Sequence, residues 1–411
     1  MLSAPDSIAW LLNIRGSDVP NTPLALSYAI LEKSGAVDWF VDPAKISDAV
    51  RLHLGDGVTV RPPDAFGPAL DGLGAARKTV RIDRGSVSCW IATRLEEAQA
   101  TLSPGIDPCT LPKACKNDTE LAGTRAAHVR DGAALTRFLA WLAAEAPKGG
   151  VTEMGAARKL HAFRREVELF RGVSFETIAG AGPDGAIVHY RVTEATDRPL
   201  RPGDVFLLDS GGQYEDGTTD VTRTVYIADP SGAPAPAEVR DRNTRVLKGH
   251  IAVATARFPS GTTGSQIDAL ARLPLWQAGL DYDHGTGHGV GSYLGVHEGP
   301  QRISKIAGSP PLEPGMIVSN EPGYYKTGAY GIRIENLVVV REETPEGAER
   351  DTLGFETITL APIDRALIAP DLLTPEERAW LDAYHARVRE TLSPLVDAAT
   401  REWLEAATAP V

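Results

Sequence analysis

The chain has 411 residues, of which 43% are hydrophobic and 23% charged, a composition typical of globular proteins. Because chains longer than about 250–300 residues usually form more than one hydrophobic core, the length predicts two domains. The 42 lysines and arginines face 54 aspartates and glutamates, and a net charge of −12 without any basic run argues against nucleic acid and anionic membranes as partners.

The three cysteines and the N-terminus give expectations about the compartment. An odd set of cysteines without CxxC spacing argues against both a disulfide framework and a thiolate zinc site. The N-terminus has one short apolar run, Ile8–Leu12, which follows Asp6 and no basic segment, so we expect neither a signal peptide nor a membrane span. These features predict a soluble protein of the reducing cytoplasm.

Residues 1 to about 116 alternate short apolar runs with helix-like stretches, a rhythm that predicts a small α/β unit. The apolar runs include 37–41, 58–60 and 79–82, whereas residues 24–33 have a helix-like pattern. Residues 101–116 contain three prolines and a glycine, so we expect an irregular linker there.

The second part of the chain has the pattern of a mixed α/β fold. Asn117 and Glu120 form a capping-box pattern at the start of a helix that ends before Pro147. Further helices are expected over 153–170, 237–257 and 264–278, and strands over 186–190, 204–209, 220–227, 315–319 and 331–340. Helix-start patterns at Thr374 and at Ser393 predict a helical C-terminal tail.

Two aspartates lie at the ends of neighbouring strand-like runs. The runs 205–209 and 220–225 are joined by a polar loop with three glycines, which predicts a hairpin with the carboxylates of Asp209 and Asp220 facing each other. A single aspartate in such a place more often ends a strand or caps a turn. The pair therefore does not establish a site by itself.

A histidine and glycine segment follows at 283–291, with the sequence DHGTGHGVG. His284 and His288 have the spacing of the helical HExxH zinc pattern, but each glycine would cost a helix about 1 kcal/mol relative to alanine. We therefore expect a loop or irregular strand whose backbone closely approaches a ligand or another segment. With His297, three of the nine histidines lie within fourteen residues, which favours a functional site over structural histidines.

The third element combines Glu321 with the strand-like run 331–340. Strand alternation puts Arg333 and Glu335 on one face, so charged side chains project from a largely apolar strand. An Arg333–Glu335 surface pair is the alternative when this run is considered in isolation.

These elements together contain four carboxylates and one imidazole: Asp209, Asp220, His288, Glu321 and Glu335. Carboxylates gathered in a cleft would repel one another and protonate, whereas two divalent cations would cancel their charge. Oxygen-rich ligation without a thiolate favours manganese or a similar ion over structural zinc. A water shared by two such ions supplies hydroxide near neutral pH, which is the chemistry of amide hydrolysis.

These motifs resemble those of the pita-bread metallopeptidases, and within them the cytosolic, eukaryotic-like type of aminopeptidase P. The similarity covers nearly the whole chain and includes residues 8–18, 182–190, 208–214, 216–224, 284–291, 296–300, 321–325 and 331–336. It implies a truncated creatinase-N-like α/β domain with a linker (1–116), a pita-bread catalytic domain (117–350) and a C-terminal helical extension (351–411). Family members of this type usually have a further N-terminal domain and the start of a middle domain, both of which this chain is expected to lack.

The resemblance implies a role for each candidate ligand. Asp209 would hold one metal ion, Asp220 and Glu335 would bridge two ions, and His288 and Glu321 would hold the other. Glu321 would also move a proton from the attacking water to the departing nitrogen.

Four further residues receive roles from the same resemblance. His189 and His297 would stabilise the gem-diolate, and His284 would lie beside the proline subsite. Arg333 would orient Glu335.

The implied activity is release of the N-terminal residue from peptides with proline at the second position, by attack of a metal-bridged hydroxide. Manganese and a homodimer are expected from the same resemblance. Two alternatives stay open: a prolidase, which cuts Xaa-Pro dipeptides with the same five ligands, and a truncated, non-catalytic binding module. Methionine aminopeptidases fit less well, because they are normally shorter and lack the preceding α/β domain.

Overall fold

A computed structural model describes residues 1–411, which divide into two compact units, Met1–Lys113 and Ala114–Val411. Each unit has its own buried hydrophobic clusters, in agreement with the two cores expected from the chain length. The predicted division at 116/117 and 350/351 stays a prediction. None of the helices is long and apolar enough to cross a membrane.

The first unit is a small α/β unit, as the sequence predicts. Its strands form a three-stranded sheet and a parallel pair: β1 (Tyr28–Leu31), β2 (Val37–Phe40) and β3 (Val58–Arg61), then β4 (Thr79–Ile82) and β5 (Thr101–Pro104). Its helices are α1 (Pro5–Leu11), α2 (Asp48–Leu54), α3 (Phe66–Ala75) and α4 (Cys89–Glu97), and α5 (Thr110–Ala114) reaches the boundary of the two units.

Two expectations for the first unit are wrong. The helix-like stretch 24–33 contains strand β1, because antiparallel pairing with β2 overrides a weak local pattern. The expected linker contains β5 and α5. Pro104 ends a strand in a two-stranded sheet, and Pro112 lies in the first helical turn, where a missing N–H costs nothing.

The helices of the second unit agree closely with the sequence pattern. They are α6 (Asp118–Glu145), α7 (Glu153–Arg165), α8 (Ala237–Ala254), α9 (Gly264–Trp276), α10 (Pro375–Leu392) and α11 (Ala398–Ala407). Both predicted capping boxes are present, at Asn117 and at Thr374. Ser393 begins only a 3₁₀ turn, and α11 starts after Asp397, whose side chain accepts from the Thr400 N–H.

The strands of the second unit form four sheets. They are β6 (Phe170–Val173), β7 (Ile178–Ala181), β8 (Val205–Ser210), β9 (Gly212–Tyr214), β10 (Gly217–Thr218), β11 (Val221–Tyr226), β12 (Phe258–Pro259), β13 (Gly287–Gly289), β14 (Glu298–Ile303), β15 (Ile317–Asn320), β16 (Gly323–Lys326), β17 (Tyr330–Arg333), β18 (Asn336–Glu342) and β19 (Thr352–Thr357). The largest has the order β12-β19-β18-β15-β13-β14, beside the smaller sheets β11-β8-β7, β10-β9-β6 and β16-β17.

Three strand predictions bear on the site. The hairpin is confirmed, since β8 pairs antiparallel with β11 and Asp209 lies opposite Thr222. The expected strand 331–340 is divided, because β17 and β18 join different sheets and Glu335 lies between them. The expected strand 186–190 is wrong. A 3₁₀ turn, Gly182–Ala186, begins this region and packs against Gly331. A Cβ added to Gly331 would lie 1.7 Å from the backbone oxygen of Gly185.

Candidate metal centre

One cavity in the second unit, of about 400 Å³, brings together every site residue expected from the sequence. They are Asp209, Asp220, His288, Glu321 and Glu335, together with His189, His284, His297 and Arg333. Strand ends and breaks supply the five candidate ligands: the end of β8, the start of β11, the middle of β13, the end of β15, and the gap between β17 and β18.

His288 lies at the centre of the carboxylates. Its Nε2 is 3.4 Å from Oδ2 of Asp220 and 3.6 Å from Oε1 of Glu321. Ligand atoms of Asp220, His288 and Glu335 all lie within 4.8 Å of one another. Nδ1 of His288 is 2.9 Å from the backbone oxygen of Gly289, which only accepts, so Nδ1 holds the ring proton and Nε2 offers its lone pair to the cavity.

The glycines around His288 let backbone segments approach closely. An added Cβ on Gly287 would lie 1.9 Å from the Ser319 carbonyl oxygen, and one on Gly289 would lie 2.2 Å from that of Glu298. The expected irregular strand is therefore confirmed: β13 is three residues long, and its register shifts after His288.

Arg333 supplies the compensating positive charge. The alternative of a surface pair with Glu335 does not apply, because Arg333 is only 2% exposed and its Nη2 donates to Oδ2 of Asp209 at 2.6 Å. Its Nε is 3.1 Å from the hydroxyl of Thr222, which in turn donates to Oε2 of Glu335 at 2.7 Å. Arg333 thus contacts Asp209 directly and Glu335 through a hydroxyl.

The electrostatics of the cavity favour bound cations. Burial, reinforced by Asp209 and Glu321, raises the pKa of Asp220 well above its ordinary value, and burial with the Asp220 charge does the same to the pKa of Glu335. The Oδ1 atoms of Asp209 and Asp220 are buried without a hydrogen-bond donor. One guanidinium cannot neutralise four carboxylates, and oxygen atoms with one imidazole suit hard or borderline divalent ions. The residues present therefore fit a pair of divalent metal ions.

Two histidines of the cavity, His284 and His297, are held neutral. Burial and the nearby Arg333 lower the pKa of His284 to about 3, and its Nε2 lies 2.8 Å from the Tyr325 hydroxyl. Burial and the neighbouring His288 ring, 4.2 Å away between centroids, lower the pKa of His297 to about 4. At neutral pH both rings therefore offer one N–H and one lone pair.

Sequence reasoning missed two hydroxyls of the site. Thr222 bridges Arg333 to Glu335, and Tyr325 accepts from Nη1 of Arg333 at 2.7 Å. Thr222 follows Asp220 by two residues, so strand alternation could have placed both on one face. No local pattern points to Tyr325, because its role depends on β16 pairing with β17.

Residues 122–342, over half of the chain, match the model of metallopeptidase family M24. The chain belongs to metallopeptidase family M24. Residues 1–120 of this M24 protein match the creatinase/prolidase N-terminal domain, and residues 351–411 match the C-terminal region of peptidase M24. The expected pita-bread fold with a creatinase-like N-terminal region and a helical C-terminal region is thus confirmed.

Relatives of this M24 protein include the probable Xaa-Pro aminopeptidase P of Laccaria bicolor, 46% identical over 99% of this chain, and aminopeptidase P2 of Arabidopsis thaliana, 44% identical over 100% of this chain. The chain spans only 64% and 62% of these two relatives. The X-prolyl aminopeptidase of Caenorhabditis elegans, described as a cytosolic enzyme with a di-nuclear active site, matches with a TM-score of 0.92 and 37% identity, over 99% of this chain and 67% of its own. The resemblance to aminopeptidase P is therefore confirmed.

A pH-dependent response to metal follows from the buried carboxyls. Because the pKa values of Asp220 and Glu335 are raised in the folded state, the metal-free fold binds their protons more tightly than the unfolded chain does. The stability from these groups is present at acidic pH and is lost as the pH rises through the raised pKa values. Bound cations replace those protons, so the rise in melting temperature on adding Mn²⁺ should grow from pH 5 to pH 8. Thermal scans with and without Mn²⁺ measure this, and an equal rise at both pH values contradicts it.

Proposed function

We propose that this chain is a dinuclear metallo-aminopeptidase that removes the N-terminal residue from peptides with proline at the second position. The observation that carries the proposal is the cavity itself, in which four carboxylates and one imidazole face each other around a single buried guanidinium. The named relatives with 37–46% identity support the substrate class.

Five side chains would hold the two metal ions. Asp209 would bind one ion, His288 and Glu321 the other, and Asp220 and Glu335 both. The oxygen-rich set suits Mn²⁺. When bound, the ions make a water acidic enough to act as a nucleophile at neutral pH and polarise the scissile carbonyl.

The proton transfers fall to Glu321. Its Oε1 accepts a hydrogen bond from the hydroxyl of Ser319 at 3.2 Å, which orients the carboxylate toward the cavity. From this position Glu321 would take a proton from water and return it to the departing nitrogen. His189 and His297 would donate to the carbonyl oxygen, where negative charge develops.

Proline would be recognised by the shape of its ring. The proline nitrogen of a peptide has no N–H, so a site cannot select it through a hydrogen bond from that group. His284 and the apolar side chains of Phe175, Ile178 and Val188 line the same cavity and would contact the ring.

A peptide panel tests the proposal. We expect the purified chain with Mn²⁺ to cleave an Xaa-Pro-Yaa tripeptide, and to leave an Xaa-Pro dipeptide and a Met-Ala peptide largely intact. Mass spectrometry of the products measures all three. Cleavage of the dipeptide alone would identify a prolidase instead, and bound metal without turnover would identify a binding module. A parallel incubation with a chelator controls for contaminating metal-independent peptidases.

Assembly and location are part of the proposal. We propose a homodimer, and a cytoplasmic location like that of the Caenorhabditis elegans relative. Size-exclusion chromatography with light scattering should give twice the mass of one chain, and a mass of one chain contradicts the dimer.

A further inference from the structure

Behind the cavity, the buried guanidinium of Arg223 holds the backbone on which Glu335 lies. Arg223, on β11, is 2% exposed. Its Nη1 donates to the backbone oxygens of Thr222 at 2.8 Å and Glu335 at 2.6 Å. Its Nε donates to the backbone oxygen of Pro362 at 2.9 Å, and its Nη2 to Oδ1 of Asn336 at 2.8 Å. This side chain therefore fixes β11 to the break between β17 and β18.

Asn336 continues these contacts to helix α8. Its Nδ2 lies 3.1 Å from Nε2 of His250, whose Nδ1 lies 3.0 Å from the backbone oxygen of Asn320. Because a carbonyl oxygen only accepts, Nδ1 holds the ring proton and Nε2 accepts from Asn336. The two asparagines are register partners in β15 and β18, next to Glu321 and Glu335. The network thus connects the flanks of two candidate ligands.

Helix α10 closes the network from the C-terminal region. The hydroxyl oxygen of Tyr384 lies 2.9 Å from Nη2 of Arg223 and 3.3 Å from Oδ1 of Asn336. One turn earlier, Trp380 stacks on the Tyr384 ring at 5.4 Å between centroids and meets the His250 ring edge-on at 6.0 Å. We name these five side chains the rear network: Arg223, His250, Asn336, Trp380 and Tyr384.

We propose that Tyr384 is a positioning residue of the metal centre, whose hydroxyl holds Arg223 and Asn336 in the orientation that fixes Glu335. The inference rests on the proposed function, in which Glu335 is a metal ligand. Through Arg223 and Asn336 it connects helix α10, within the part matched to the C-terminal region of peptidase M24, to ligand geometry. Removal of a contact made directly to a metal ligand typically changes metal affinity or activity by about 10–100-fold. Tyr384 lies one contact further out, so we expect an effect at the lower end of this range.

A structural role alone would give a different result. If Tyr384 only attached α10 to the fold, loss of its hydroxyl would lower the melting temperature and leave the Mn²⁺ affinity unchanged, as would the loss of another buried hydrogen bond of α10. His385 is the matched comparison, because it is 0% exposed on the same helix. Its Nε2 accepts from the backbone N–H of Ile363 at 3.1 Å, so its hydrogen bond goes to the neighbouring segment and not to Arg223 or Asn336.

The test compares Tyr384→Phe, which removes only the hydroxyl, with His385→Phe in the full chain. For each we measure the melting temperature without metal, the Mn²⁺ dissociation constant by competition with a fluorescent chelator, and kcat and KM on the tripeptide. Tyr384→Phe should weaken Mn²⁺ binding and lower kcat, each by about tenfold, and leave KM within about twofold. His385→Phe should lower the melting temperature at least as much and leave the Mn²⁺ dissociation constant unchanged.

The outcomes separate the inference from the proposed function. Unchanged Mn²⁺ affinity in Tyr384→Phe, or an equal loss of affinity in both variants, overturns the inference alone. A wild-type chain that binds no Mn²⁺ or cleaves no peptide overturns the proposed function. Should Tyr384→Phe fail to fold, Asn336→Leu cuts the rear network beside Glu335, and unchanged Mn²⁺ affinity there overturns the inference.

Discussion

Asp220→Asn should abolish activity and yet give a metal-free protein that melts at a higher temperature than the wild type. The loss of a ligand shared by both ions should lower kcat/KM by at least about a thousandfold. Burial, and then the charges of Asp209 and Glu321, raise the pKa of Asp220. In the variant, the metal-free fold no longer has to accommodate this buried carboxylate. Each kcal/mol regained raises the melting temperature of a unit of this size by about 1–2 °C. Peptide assays and thermal scans at pH 8 with a chelator measure both effects.

Asp364→Asn is the matched control for this prediction. Asp364 is a partly buried carboxyl whose pKa is also raised by burial, but its oxygens accept from the backbone N–H groups of Tyr226 and Ala366. Its replacement relieves no repulsion between carboxylates, so it should leave activity unchanged and give no rise in melting temperature. A metal-free Asp220→Asn protein that melts below the wild type would show that the carboxylates do not strain the fold.

Arg333→Met should have the opposite effect on stability. It removes the only guanidinium that donates to Asp209 and leaves that carboxylate buried among the other ligands. Breaking a buried pair by removing one partner typically costs about 3–5 kcal/mol. The metal-free protein should therefore melt well below the wild type, and added Mn²⁺ should raise its melting temperature by more than in the wild type, because bound cations restore the missing charge.

Arg333→Lys is the control that keeps the charge. A lysine ammonium is a single compact donor group and cannot contact Asp209, Thr222 and Tyr325 with the spread of a guanidinium. We expect it to recover most of the stability and only part of the kcat. Equal melting temperatures for Arg333→Met and wild type without metal would contradict the compensating role of this arginine.

The candidate ligands could be predicted because carboxylates and a histidine are the residue types that bind divalent metal ions. Four carboxylates that share one buried cleft require counter-charges. The glycine spacing around His288 likewise excludes a helix without any coordinates. The roles of the individual residues stay predictions, which the substitutions above test.

The contacts around these ligands could not be predicted, because they join segments far apart in the sequence. Strand alternation places Arg333 and Glu335 on one face, but the strand breaks between them and the guanidinium donates to Asp209. The contact of Tyr384 with Arg223 depends on where α10 packs, which the helical pattern of α10 does not specify.

Local sequence signals thus predicted the helices of the second unit, the β8–β11 hairpin and the residue types of the candidate ligands, because capping boxes, alternation and residue types act over a few positions. Contacts between distant segments instead placed strand β1 (Tyr28–Leu31) within 24–33, divided 331–340 between two sheets, and brought helix α10 to the back of the candidate metal centre. These outcomes depend on pairing and packing between distant segments, and such contacts override local preferences wherever the two disagree.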